Sequence, residues 1–208
     1  MLNPKSKVVI LFVEGYTEID FYKALLADIR NLHNQEFCCN IEYINMKGVG
    51  NYKNDAVRKL EQVKRKYPDS DIHAFLCYDT DVFCFSRRPP VDMKEVREQL
   101  IENGANEVEF IKANKSIEDW FLYDFEGVKR YLRLPKKTAK ETGTGQEVIQ
   151  KLFKKANRVY VKGGKLDGFI DKLNITLIRV QICSNLRPLC QCLEVDCDKI
   201  CNKQSFTK

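Results

Sequence analysis

At 208 residues and 24.3 kDa, the chain has room for one full α/β domain and a modest appendage. Hydrophobic residues make up 44% and charged residues 31%, which excludes a disordered chain, and no apolar run approaches the roughly 18–20 residues of a membrane span. The formal net charge of +6 suits a polyanionic partner without requiring one.

The first residues lead directly into a β-branched run, with no apolar stretch or small-residue cleavage site of a signal peptide. A cytoplasmic protein without membrane association is expected. Val8-Val9-Ile10-Leu11-Phe12-Val13 reads as a central strand covered on both faces. Glu14-Gly15 ends it, and Thr17 is the expected N-cap of a helix from about Glu18 to Leu32, with Ile19, Tyr22, Ala24, Leu25, Ile29 and Leu32 on its apolar stripe. A second strand is expected over Cys39 to Met46, then a loop at Gly48–Asn51 and a basic helix to about Tyr67, closed by Pro68. Ile72 to Tyr78 is a third strand running into Asp79-Thr80-Asp81. Arg87-Arg88-Pro89-Pro90 is a loop, since two prolines forbid helix. A further helix starts at Val91 or Asp92 and ends at Asn103-Gly104, and Glu107 to Lys112 is a fourth strand.

This alternation predicts an α/β fold with a mainly parallel four-stranded, Rossmann-like sheet flanked by helices over residues 1–114. Residues 115–208 read as a mainly helical C-terminal extension packed on that core. Its expected helices are Ile117–Tyr123, Gly127–Leu132, Gly145–Ala156, Leu166–Leu173 and a last one from Pro188 onward. Lys136 to Lys140 forms a basic loop between them.

Nine cysteines, an odd count with no export signal, are expected as reduced, mostly buried thiols. Cys190, Cys197 and Cys201 share an apolar helical face with Leu189, Leu193 and Ile200. The C-terminal cysteines lack the paired knuckles of structural zinc sites, so buried thiols are the stronger reading.

In open parallel sheets, ligands bind at the carboxyl ends of strands. Two predicted strands carry acids there, Glu14 on the first and Asp79 and Asp81 on the third. Clustered carboxylates repel unless a cation neutralises them, and Mg²⁺ (or Mn²⁺) prefers hard oxygen ligands. In an extended Asp-Thr-Asp segment both carboxylates face one side, and Glu14 and Glu18 lie four apart where a helix begins. Gly15 would admit close approach of backbone to a phosphate. Such a set would hold one or two metal ions and support phosphodiester cleavage. Each part has a plainer reading, with Asp-x-Asp as turn chemistry and Glu18 as a first-turn acid favoured by the helix dipole.

The segments VVILFVEGYTEIDFYKAL and FLCYDTDVF resemble the TOPRIM fold of topoisomerases, primases and several nucleases. The EGYTE form is similar to the branch containing the overcoming-lysogenization-defect nucleases and the RloB-like proteins associated with phage defence. The resemblance covers about residues 7 to 125. It implies a Mg²⁺-dependent endonuclease acting on DNA or RNA, with Glu14, Glu18, Asp79 and Asp81 as metal ligands. The chain has no recognisable ATPase segment, so a separately encoded ATPase could be the partner that supplies activation or control. The block KSIEDWFLYDF matches RloB-like proteins at Ser116, Glu118 and Trp120, which implies Glu118 as a further site carboxylate. Plain helix capping by Ser116 with first-turn acids Glu118 and Asp119 explains the same block equally well. Trp120 and Phe121 read as core.

A cleavage site also needs cations for the phosphate. Candidates are Lys115, Arg87 and Arg88 for nucleic-acid binding, and Lys162 or Lys165 in the YVKGGK loop as a catalytic lysine. The resemblance implies a lysine after the TOPRIM core without fixing which. A homodimer is the default for oligomeric state. The rival reading is a non-catalytic binding or regulatory module retaining the acidic fold.

Overall fold

The apolar run at the N-terminus becomes β1 (Lys7–Val13), in which Val8 to Val13 are all fully buried. The computed structural model describes residues 6–34, 36–85 and 89–196, with Cys84 and Phe85 at backbone level only. In chain order the other elements are α1 (Tyr16–His33), β2 (Cys39–Asn45), α2 (Tyr52–Lys66), β3 (Asp71–Asp79), α3 (Asp81–Phe85), α4 (Met93–Glu102) and β4 (Glu107–Ala113). The remaining helices are α5 (Ile117–Phe121), α6 (Phe125–Leu132), α7 (Gly145–Lys155), α8 (Ile175–Gln181) and α9 (Cys183–Cys192). All four strands are parallel and ordered β2-β1-β3-β4, a Rossmann-like layout as the alternation predicts.

Side-chain alternation divides the sheet's two faces. Val9, Leu11 and Val13 of β1 and Phe75 and Cys77 of β3 join a core cluster with α1 and the C-terminal helices. Val8, Ile10, Phe12, Ala74 and Leu76 meet α2 and α4 on the other face. On α1, Phe21, Tyr22, Leu25, Leu26 and Ile29 line one stripe and are buried. Each such side chain contributes roughly 1.5–3 kcal/mol of burial free energy. Trp120, Phe121, Val148, Ile149, Leu152 and Phe169 share this cluster, so the described residues after 114 complete the core over β1 and α1 and build none of their own. Trp120 is packed against Phe21, ring centroids 6.1 Å apart, and is core as expected.

Some local expectations are corrected. Gly15, not Thr17, is the N-cap of α1, because the Thr17 hydroxyl is drawn away to donate to the Gly164 carbonyl. The expected helix at Leu166–Leu173 is only a short 3-10 turn at Ile170–Lys172. The last helix begins at Cys183, and Pro188 lies inside it rather than at its start. The helices α3 and α8 were not anticipated. Arg87, Arg88, Cys197, Ile200 and Cys201 lie outside the described residues. Among those described, no helix is long and apolar enough to cross a membrane.

Tyr52 of α2 is fully buried, and its hydroxyl lies 2.6 Å from the Cys77 carbonyl and 3.0 Å from that of Phe12. It ties α2 to the last turns of β1 and β3. Tyr52→Phe is expected to cost about 1–2 kcal/mol of unfolding free energy by urea denaturation, since buried carbonyls lose their donor. An unchanged midpoint would contradict this tie.

Candidate acidic site

The connection β1-α1-β2 leaves β1 in one direction and β3-α4-β4 leaves β3 in the other, so the strand order reverses between β1 and β3. A crevice at the carboxyl ends of strands forms at such a point. Glu14 follows β1 there and Asp79 ends β3. Glu14 Oε1 accepts the Asp79 backbone N–H at 2.9 Å, joining the two tips directly. Gly48 N–H donates to the Glu14 carbonyl and fixes its backbone from the other side.

Asp79 is next in the row of Phe75 and Cys77, on the face covered by α1, and is 3% exposed. The chain then turns: Thr80 N–H donates to Ala113 O and Asp81 N–H to Lys115 O. Asp81 opens α3 and is half-buried. The extended Asp-x-Asp geometry expected from the sequence is therefore corrected. The turn is held by Thr80, whose hydroxyl donates to Ala113 O and accepts from Lys115 N–H.

Three further groups converge on Asp79. Ile117 N–H, at the start of α5, donates to Asp79 Oδ1 at 2.9 Å. Glu18, on the first turn of α1, is 6% exposed, and Glu118, on α5, is fully buried. The capping reading of the KSIEDW block holds for Ser116 and Asp119. Ser116 is the N-cap, and its N–H and hydroxyl both donate to Asp119 Oδ2, while Glu118 turns inward. Glu118 Oε1 accepts the Tyr160 hydroxyl at 2.6 Å. Tyr160 had no motif to mark it, and only its position two residues before Lys162 links it to the predicted basic loop.

Lys162 Nζ lies 2.8 Å from Asp79 Oδ2 and 3.5 Å from Asp81 Oδ2. Of the two lysine candidates, it alone enters the site. Lys165 is exposed and pairs with Asp167. Lys115 is exposed beside Asp81 and lines, with Val82, Ser116, Thr144 and Gln146, a cavity of about 240 Å³. Gly15 is approached closely, as its glycine identity suggests, but by protein. A Cβ there would stand 2.4 Å from Gly163 Cα, and Tyr16 N–H donates to Gly163 O at 3.0 Å. The loop backbone occupies the place at the N-terminus of α1 expected for a phosphate.

Burial, then Asp79 and Glu14, pushes the Glu18 carboxyl up to about 8. Burial and Glu14 push Asp79 up to about 8 as well, against the lowering effect of Lys162. Glu14 is also raised, chiefly by burial. Burial alone would lower Lys162, but Asp79, Glu118 and Asp81 outweigh it and hold the ammonium charged. Glu18 Oε2 and Glu118 Oε2 are buried and accept no hydrogen bond, while the buried Asp79 Oδ2 is met by the Lys162 ammonium at 2.8 Å. Glu14, Glu18, Tyr22, Cys77 and Asp79 line a cavity of about 10 Å³, the space of one water-sized sphere.

The donor chemistry suits a hard divalent cation, since it offers buried oxygens lacking partners. The spacing is a different matter. Among the described residues no three His, Cys, Asp or Glu side chains are grouped so as to hold an ion. Lys162 sits against Asp79 and Asp81, where such a charge would be placed. Comparison with protein-family models, with curated proteins and with solved structures gives no match to this chain.

A carboxyl raised in the folded state keeps a proton that the unfolded chain has already lost. Stability is therefore full below the ordinary values of 4.5 and 3.8 and falls as pH rises toward about 8. In a chelator, urea unfolding from pH 5 to 8.5 should show this decline. Glu18→Gln should flatten it by more than about 1 kcal/mol, the scale of one pKa unit. Equal slopes in both proteins would show that Glu18 ionises freely.

Proposed function

We propose that this chain is a divalent-metal-dependent nuclease of TOPRIM type that cleaves phosphodiester bonds in DNA or RNA. The observation that carries the proposal is the pair of buried carboxylate oxygens without hydrogen-bond partners, on Glu18 and Glu118, beside the Asp79–Lys162 pair at the β1/β3 switch point. A structural ion-pair network leaves no reason for such orphaned acceptors, which are costly unless a cation completes them.

Glu14, Glu18, Asp79, Asp81 and Glu118 would hold Mg²⁺ or Mn²⁺. When bound, such an ion supplies polarisation of a phosphoryl oxygen and an acidified water. Burial excludes bulk water from Glu18, Asp79 and Glu118 and so strengthens their hold on positive charge. Tyr160 fixes one oxygen of Glu118 and leaves the other toward the centre. Lys162 is the cation placed to neutralise charge developing on a phosphate. Exposed Lys115 and the cavity beside Asp81 provide a path along which a nucleic-acid strand would continue. A toxic effector of phage defence, controlled by a separately encoded ATPase, is the biological setting that the sequence resemblance favours.

One observation favours a second reading, a non-catalytic binding module: Lys162 already neutralises Asp79 and Asp81. The two readings differ in a single assay. Purified protein incubated with plasmid, single-stranded DNA and tRNA in Mg²⁺ or Mn²⁺ should cleave at least one substrate. Glu14→Ala and Asp79→Ala should each reduce cleavage by about 100-fold or more. Cleavage unchanged in both variants would sink the nuclease assignment, and no divalent-ion binding at all would favour the module.

A further inference from the structure

A strap of residues 159–165 crosses the mouth of the acidic site, far in sequence from the strand tips it touches. Four points hold it: the Tyr160 hydroxyl on Glu118, Lys162 on Asp79 and Asp81, Gly163 O under the Tyr16 N–H, and Gly164 O under the Thr17 hydroxyl. Apart from Tyr160, little apolar surface anchors it, since Val159 is 82% and Val161 61% exposed. Gly163 at φ 69° and the adjacent Gly164 give its backbone freedom that other residues lack.

We propose that Lys162 is the resident counter-ion of the acidic site, and that it and a divalent cation are alternative occupants of the Asp79–Asp81 pair. This rests on the metal-dependent reading above and adds the order of events at that site. The ammonium contacts both Oδ2 atoms, the same charges a divalent ion would neutralise. Both cations would compete for the same two Oδ2 atoms, and their charges repel at that distance in a partly buried site. One must leave. Lys162 can, because its segment is held mainly by polar contacts and carries two glycines just beyond it. The Tyr160–Glu118 hydrogen bond lies on the other side of Lys162 and tethers the strap during the exchange. This accounts for orphaned oxygens of metal-ligand chemistry in a set of acids that is not grouped to hold an ion. It also leaves the displaced ammonium at the mouth of the site, where a scissile phosphate would arrive.

Mn²⁺ binding to full-length wild type, Lys162→Met and Lys162→Gln, measured by calorimetry and by electron paramagnetic resonance, tests the exchange. Both variants should bind Mn²⁺ about tenfold or more tightly than wild type at the same stoichiometry, the scale of one neighbouring charge removed. In wild type, tryptic cleavage after Lys162 should accelerate on adding Mn²⁺, and Asp79→Asn should abolish the acceleration. The cleavage measurement stands alone if the variants fold poorly. Wild-type Mn²⁺ binding with equal or weaker binding in both variants, or with unchanged cleavage, overturns the exchange and leaves the metal-dependent reading standing. Absence of Mn²⁺ binding in all three proteins overturns both.

Discussion

Everything distinctive in this molecule follows from carboxylates packed together out of water. Glu18 and Asp79 are buried around a cavity of about 10 Å³, Glu118 is buried as well, and Glu14 is joined to the Asp79 backbone. Desolvation and mutual repulsion both oppose their charged forms. The fold answers with raised proton affinity on Glu18 and Asp79, with a peptide N–H on one oxygen of Asp79, and with the ammonium of Lys162. None of these answers is complete, because Glu18 Oε2 and Glu118 Oε2 remain without donors. That residual demand for positive charge is the physical content of the functional proposal.

Topology explains why the demand arises here. Reversal of strand order between β1 and β3 opens a crevice at their carboxyl ends, and both strands end in acids. The helical extension then closes the crevice from above. Its α5 brings Glu118 and the Ile117 N–H, and the strap after α7 brings Tyr160 and Lys162. An extension sharing the core of β1 and α1 can place those groups to a fraction of an ångström, which a loosely tethered appendage could not.

The sheet was legible because its signals are local and strong. Val8 to Val13 can hardly be anything but a doubly covered strand, and alternation with amphipathic helices sets the parallel order. Glu14 and Asp79 were legible as acids at strand tips, and Glu18 as an acid where the following helix begins. Four features were not, and each depends on contacts distant in sequence. Thr17 reads as an N-cap until Gly164, 147 positions later, captures its hydroxyl. Gly15 reads as a phosphate cradle until Gly163 fills the space. Lys162 and Lys165 are indistinguishable by composition, and only the docking of the strap selects Lys162. Tyr160 was missed because a buried tyrosine looks the same in a sequence whether or not its hydroxyl serves a carboxylate.

An ammonium and a divalent ion answer the same electrostatic demand differently. Lys162 offers one charge on a flexible stem and reaches Asp79 and Asp81 only. An ion among the carboxylates would reach oxygens of Glu18 and Glu118 that no side chain serves. The most direct discriminator is anomalous diffraction from a crystal soaked in Mn²⁺. The account predicts a Mn²⁺ peak bounded by Asp79 and at least two of Glu14, Glu18, Asp81 and Glu118, with Lys162 withdrawn. A fully soaked crystal with no peak there, and Lys162 still on Asp79, would contradict it.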